Sequence, residues 1–79
     1  MDSINRIICK YIYSNWIETS PSQRKFADEH NIEESIVRKI KKNSTDENSI
    51  EYNIPVQTLE KICEAREIKL SEFFKLIQK

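Results

Sequence analysis

The first 17 residues place apolar side chains at the period of one helix face. Five positions keep the i, i+3, i+4, i+7, i+8 order: Ile4, Ile7, Ile8, Tyr11 and Ile12. That order is typical of an amphipathic helix whose apolar stripe packs on a core. Ser3 or Asp2 can cap its N-terminus, and the stretch Glu18–Pro21 interrupts the pattern. We therefore predict a first helix that runs to about Ile17.

Two shorter amphipathic stretches follow, and a single turn separates them. Ser22 is a suitable N-cap for a second helix that ends at His30. A third helix is predicted from Glu33 to about Lys42. Asn31 lies where the chain must turn, and because Asn tolerates a left-handed backbone, we expect a positive φ there. Two helices joined by so short a turn indicate a helix-turn-helix, whose second helix can enter a DNA major groove.

The second half of the chain contains two further helical patterns and no convincing strand. Residues 43–54 are polar without a sustained period, which predicts a loop. Pro55 suits the first turn of a fourth helix, which should end near Arg66. Ser71 is placed to cap a fifth helix. Residues 1–79 are therefore predicted to form one all-α domain of about five helices around a single small core.

Six residues in the two central helices and the turn between them keep a characteristic order and spacing: Gln23, Ala27, Asn31, Ile32, Val37 and Ile40. They resemble the motif of the Xre-type family, which includes the lambda-type phage repressors. In that family the same places hold a Gln, a small residue, a turn Gly, an apolar turn residue and two apolar anchors. The stretch IPVQTLEKICEAREIKLSEFF also looks like the family's fourth and fifth helices, so the resemblance covers about Ile4 to Phe74. It implies a compact five-helix lambda-repressor-like helix-turn-helix domain that binds double-stranded DNA as a homodimer.

Three features depart from the family pattern. Asn31 replaces the turn Gly, Glu33 stands where a Ser or Thr usually caps the third helix, and the loop Lys41–Pro55 is longer than in compact members. Asn can form the turn, and a carboxylate near a helix N-terminus suits the helix dipole. The fold is therefore expected to persist.

Charge along the chain is balanced in total but unevenly distributed. The 13 Lys and Arg equal the 13 Asp and Glu, which counts against a protein that binds nucleic acid through overall charge. Segment 36–42, IVRKIKK, has four positive charges and no negative one. Acidic residues border it on both sides: Asp28, Glu29, Glu33, Glu34, Asp46, Glu47 and Glu51. Binding to DNA by charge alone should be weak, and most such runs are solvated helix faces.

One face of the third helix holds side chains that could bind a duplex. Arg38 can contact guanine in a bidentate manner, and Ser, Lys and Glu can also hydrogen-bond to base edges. The expected base contacts are Glu34, Ser35, Arg38 and Lys39. Arg38 is included because it lies on the same helix face, and the other three are included because they resemble the base-reading positions of the family. The expected phosphate contacts are Gln23, Arg24, Lys41, Lys42 and Asn43, of which all but Arg24 rest on the resemblance.

We therefore expect sequence-specific duplex binding by a small transcriptional regulator of the repressor kind. One short helix reads only a few base pairs, so a homodimer is expected. Its surface would be Phe73, Phe74 and Ile77, although the same residues could instead fill the core. The alternative is a protein-interaction or antitoxin-like module that keeps the fold without reading DNA, which the neutral net charge favours.

No residue pattern indicates catalysis, a cofactor or a metal site, so we do not expect an enzyme. His30 is expected to be a helix cap or a solvated residue, and Cys9 and Cys63 are expected to be buried thiols. No apolar run approaches the ~20 residues needed to cross a membrane, and no signal-peptide pattern is present. A cytoplasmic location is the expectation.

Overall fold

The computed structural model describes residues 3–46, 48 and 52–77, and every regular element in this part of the chain is helical. The elements are α1 (Ile4–Ile12), a π-helical turn (Tyr13–Ile17), α2 (Gln23–Glu29), α3 (Glu34–Thr45), α4 (Val56–Ala65) and α5 (Leu70–Ile77). For the described residues, the prediction of an all-α domain with five helices is confirmed. None of these helices has both the length and the apolar character required to span a bilayer. Asp2 and loop positions 47 and 49–51 lie outside the described residues.

The first helix ends in a turn that is wider than an α-helical turn. Ser3 caps α1 as predicted, because its Oγ accepts a backbone hydrogen bond of 3.3 Å from the first turn. At the other end, the Glu18 N–H donates to the carbonyl of Tyr13, five residues earlier, at 2.9 Å. Within this π-helical turn the adjacent residues Trp16 and Ile17 are both buried. The helical path therefore reaches Ile17, as the sequence predicts.

A single apolar core lies where the helices meet. Its buried members are Ile8, Cys9, Ile12, Trp16, Ile17, Phe26, Ala27, Val37, Ile40, Ile54, Leu59, Ile62, Cys63 and Phe73. The two anchors predicted on α3, Val37 and Ile40, are each 0% exposed. Because α3 packs against both α1 and α2, its anchored side is occupied and its opposite side is left to solvent. Cys9 and Cys63 are buried cysteines, as predicted.

The turn between α2 and α3 is closed by the paired hydrogen bonds of a Schellman motif. The Ile32 N–H donates to the Ala27 carbonyl at 3.0 Å, and the Asn31 N–H donates to the Asp28 carbonyl at 3.4 Å. Asn31 has a φ of 56°, which confirms the predicted left-handed conformation. Ile32 packs against the core from the turn. The apolar contact and the two hydrogen bonds together fix where α3 begins.

A second Schellman motif, which the sequence did not predict, follows α4. The Ile68 N–H donates to the Cys63 carbonyl and the Glu67 N–H donates to the Glu64 carbonyl, both at 3.0 Å. Glu67 has a φ of 59°. The chain contains no glycine, so a residue with a full side chain occupies this left-handed position. For such a residue the conformation costs about 1–2 kcal/mol.

Substitutions at the two left-handed positions should separate backbone strain from side-chain contacts. Asn31→Gly should leave the free energy of unfolding nearly unchanged, and Glu67→Gly should raise it by up to about 1 kcal/mol, because Gly adopts positive φ without a steric penalty. Asn31→Val should lower it by about 1–2 kcal/mol, because a β-branched residue is strained there. Urea unfolding measures all three. A larger loss with Gly than with Val at position 31 would indicate one continuous helix.

The start of α5 differs from the prediction. The helix begins at Leu70, so Ser71 lies inside it and is not its cap. The carboxylate of Glu72 accepts a hydrogen bond from the Lys69 N–H at 3.0 Å, which is one half of a capping box. The N-terminal end of α5 is therefore stabilised by the carboxylate of Glu72, the third residue of the helix, and not by the expected serine hydroxyl.

Candidate nucleic-acid interface

The solvent-facing side of α3 carries four positive charges and one carboxylate. Its charged side chains are all exposed: Glu34, Arg38, Lys39, Lys41 and Lys42. Because helical residues four apart lie above one another, Glu34, Arg38 and Lys42 form one row along this face. Ser35 is half-buried, and its hydroxyl donates to the Glu33 carboxylate at 3.4 Å. The structure thus brings the residues expected to contact bases onto one side of one helix.

The beginning of α2 holds the other residues expected at the phosphate backbone. Ser22 caps this helix as predicted, because its Oγ accepts the Lys25 N–H at 3.0 Å. Arg24 is exposed, whereas Gln23 is half-buried. Arg24 is therefore accessible to a phosphate, and Gln23 is partly covered by its surroundings.

Asn43 does not have the role that the sequence predicts. Its side chain is 1% exposed, and its Nδ2 donates to the Sγ of Cys9 at 3.4 Å. The reason is that α3 continues to Thr45 instead of ending near Lys42. Position 43 therefore falls on the buried row, three residues after the anchor Ile40. The predicted phosphate contact by Asn43 is wrong, and the residue instead joins α3 to α1.

A polar clamp from α1 holds the C-terminal end of α3. The Nη1 of Arg6 donates to the Asn43 carbonyl at 3.0 Å and to the Asp46 carbonyl at 3.4 Å. A positive charge at a helix C-terminus also complements the helix dipole. Nearby, the Nδ2 of Asn5 donates to the Oδ1 of Asn53 at 3.0 Å. This clamp has no signature in the sequence, because its partners lie about 40 residues apart and follow no motif.

The segment before α4 approaches the exposed face of α3 through an aromatic ring. The Lys39 ammonium lies 5.6 Å from the centroid of the Tyr52 ring, within the range of a cation–π contact. Tyr52 is half-buried and packs against the core, and Ile54 is buried just after it. Lys39 is thus exposed but has a fixed neighbour.

His30 ends α2 as predicted, but its ring is buried and not solvated. The ring is 5% exposed and is stacked on Phe26, with the ring centroids 3.8 Å apart. Its Nδ1 lies 2.7 Å from the Phe26 carbonyl and must donate to it, which leaves Nε2 to accept the Arg66 Nε–H at 3.2 Å. The Arg66 guanidinium also lies over the Trp16 ring, 4.8 Å from its centroid. A neutral imidazole therefore connects the ends of α2 and α4.

This environment holds the pKa of His30 below its ordinary value of 6.5. Burial is the main cause, and the charge of Arg66 acts in the same direction. The hydrogen bond to the Phe26 carbonyl and the charge of Glu29 oppose them. A second proton would have to reside on Nε2, where it would face the Arg66 N–H.

We expect the folded state to lose stability as the pH falls below about 6.5. The unfolded chain binds a proton on His30 near its ordinary pKa, whereas the folded chain binds it only at lower pH. The contribution is therefore complete above 6.5 and is lost as the pH falls through the folded-state value. Thermal midpoints at pH 7.5 and 5.5 measure it, and the difference should shrink in His30→Gln. An equal difference in that variant would assign the pH dependence to other groups.

The chain matches no protein-family model, no curated protein and no solved structure. Within the described residues, no group of three or more His, Cys, Asp or Glu is arranged to hold a metal ion.

Proposed function

We propose that this protein binds double-stranded DNA in a sequence-specific manner as a small transcriptional regulator of the repressor kind. The observation that carries the proposal is the division of α3 into two sides. Val37 and Ile40 fix one side in the core, while the other presents Arg38 and its neighbouring lysines to solvent. A helix anchored in this way can place its exposed side in a groove while its buried side stays packed in the core.

The dimensions and chemistry of α3 suit a major groove. Its 12 residues span roughly 18 Å, and a major groove about 12 Å wide admits one α-helix. We assign base contacts to Glu34, Ser35, Arg38 and Lys39. We assign phosphate contacts to Gln23, Arg24, Lys41 and Lys42, without Asn43. The resemblance to Xre-type proteins supports the same assignment from the positive-φ turn and the spacing of the anchors.

The net charge is zero, so electrostatic attraction to DNA is confined to the basic side chains that meet phosphates. These contacts act alike on every duplex, so a preference for one sequence must come from the base contacts. Selection of bound fragments from a random duplex pool tests this. The parent should enrich a short consensus, and Arg38→Ala should enrich a consensus that is relaxed at one position. A parent pool that stays random after repeated rounds would contradict the proposal.

We propose that the DNA-binding form is a homodimer, with a revised surface. Phe73 is 0% exposed and belongs to the core, so that part of the expected dimer surface is wrong. Exposed apolar side chains remain at a groove between α1 and α5, which is lined in part by Ile7, Leu76 and Ile77. Leu76 is 51% exposed, a large fraction for a leucine that has no role in the core. A second copy that covers this groove would remove that side chain from water.

Leu76→Lys should therefore shift the protein toward the monomer and weaken duplex binding. The introduced ammonium would be buried against apolar surface in the dimer, which is unfavourable, but would be solvated in the monomer. Sedimentation equilibrium over a range of protein concentrations measures the dissociation constant of the dimer. Val56→Lys is the matched control, because Val56 is 69% exposed on α4 and does not line the groove. Equal association of both variants would place the dimer contact elsewhere.

A protein-interaction or antitoxin-like module is the second candidate. It is favoured by two exposed carboxylates, Glu33 and Glu34, at the N-terminal end of α3, where a phosphate would be repelled. Such a module would show no salt-dependent affinity for duplex. It would also be indifferent to Arg38→Ala in the selection experiment.

A further inference from the structure

The cation–π pair between α3 and the segment before α4 joins an exposed side chain to an anchored one. Lys39 lies at the edge of the solvent-facing side of α3, and the ring of Tyr52 lies 5.6 Å from its ammonium. Lysine on a helix surface normally samples many rotamers. A ring face at this distance favours those rotamers that place the ammonium above it.

The position of Tyr52 is itself fixed by the fold. The ring packs against the core, and Ile54, two residues later, is buried. Between them, the Oδ1 of Asn53 accepts a hydrogen bond of 3.0 Å from Asn5 on α1. Burial, and to a smaller extent Cys9, raise the pKa of the Tyr52 hydroxyl above its ordinary value of 10.0, so the ring carries no charge near neutral pH. The ring is therefore a neutral platform that packs against the core beside α3.

We propose that Tyr52 is a specificity-determining positioning residue, which orients Lys39 for its contact with one base. This inference rests on the proposed function. Tyr52 does not itself touch the DNA. It restricts Lys39 to one edge of the helix before the duplex arrives, so less side-chain freedom is lost on binding and one acceptor is preferred over its neighbours.

A merely structural role for Tyr52 makes a different prediction. If the ring only attached the segment before α4 to the core, its loss would weaken binding to all duplexes alike, through lower stability. If it positions Lys39, its loss should reduce discrimination at one base pair, and only while Lys39 is present. The two roles therefore differ in whether the effect of losing Tyr52 depends on the presence of Lys39.

The experiment measures fluorescence anisotropy with the selected duplex and with duplexes altered at single base pairs. Tyr52→Leu should weaken binding to the selected duplex by about two- to fivefold, the range of an exposed cation–π contact. One base pair should lose its influence on affinity in Lys39→Ala, which identifies it as the pair that Lys39 contacts. On a duplex altered at that base pair, Tyr52→Leu should bind as well as the parent. In the Lys39→Ala background, Tyr52→Leu should have no further effect. Tyr52→Phe keeps the ring face and should bind within about twofold of the parent.

A second series keeps the test independent of folding. Phenylalanine carrying one, two or three ring fluorines at position 52 weakens the ring face stepwise with little change in volume. Discrimination at the Lys39-dependent base pair should fall stepwise, while the thermal midpoint stays near that of Tyr52→Phe. An equal effect of Tyr52→Leu with and without Lys39, or no trend across the fluorinated series, would overturn the positioning role. A parent without sequence preference would instead overturn the proposed function, and the role of Tyr52 with it.

Discussion

Ile40→Ala should lower the free energy of unfolding by about 2–5 kcal/mol. Ile40 is 0% exposed and lies on α3 where that helix meets the rest of the core. Removing its side chain loses the burial of three carbon atoms and leaves a cavity that neighbouring helices can fill only in part. A domain of this size has only about 4–12 kcal/mol in total, so the loss is a large fraction of its stability.

Thermal melts followed by circular dichroism measure this effect. The midpoint should fall by at least about 8 °C, since a loss of 1 kcal/mol lowers it by about 4–8 °C in a small domain. Val56→Ala is the control, because this apolar side chain is 69% exposed and its truncation should change little. If Ile40→Ala melts like the parent, Ile40 lies at the surface, and the division of α3 into a buried and a DNA-facing side is wrong.

Arg38→Ala should weaken binding to the preferred duplex by about 1–3 kcal/mol and relax discrimination at one base pair. Arg38 is exposed in the middle of the row that faces solvent on α3. Its guanidinium can donate two parallel hydrogen bonds to guanine, and no neighbour on this helix has the same geometry. Fluorescence anisotropy with the selected duplex and its single-position variants measures both effects.

Two lysine substitutions provide the matched comparison for Arg38→Ala. Lys42→Ala should weaken binding to all duplexes alike and reduce the salt slope by about one for each protomer, because a phosphate contact carries no sequence information. Lys61→Ala removes the same charge from an exposed position on α4 and should change neither property. Unchanged affinity in both Arg38→Ala and Lys42→Ala would remove α3 from the interface.

The apolar period along the chain is sufficient to predict the presence of the helices and the buried side of α3, but not where α3 ends or where α5 begins. Val37 and Ile40 recur at helical spacing, and both are fully buried. The chemistry of Asn31 was sufficient to predict a left-handed turn, since few other residues adopt positive φ readily. These features depend on neighbours within about four residues, which is the range over which a sequence pattern carries information.

The features that the sequence did not predict depend on distant contacts. Asn43 looks like a loop residue, but contacts from Arg6 and Cys9 on α1 keep it in the helix and in the interior. His30 looks like a solvated cap, but Arg66, 36 residues away, completes its hydrogen bonds. Glu67 has no intrinsic preference for positive φ, so its conformation is set by the two backbone hydrogen bonds that close the turn after α4.

The salt dependence of duplex binding tests the central claim most directly. Protein and a labelled duplex that carries the selected sequence would be titrated at several salt concentrations, and log K plotted against log salt. Three basic residues assigned to phosphates, Arg24, Lys41 and Lys42, predict a slope of about −3 for each protomer, since each neutralised phosphate contributes about −0.9. A homodimer would double that value. A slope near zero, or no binding at low salt, would contradict DNA recognition by α3.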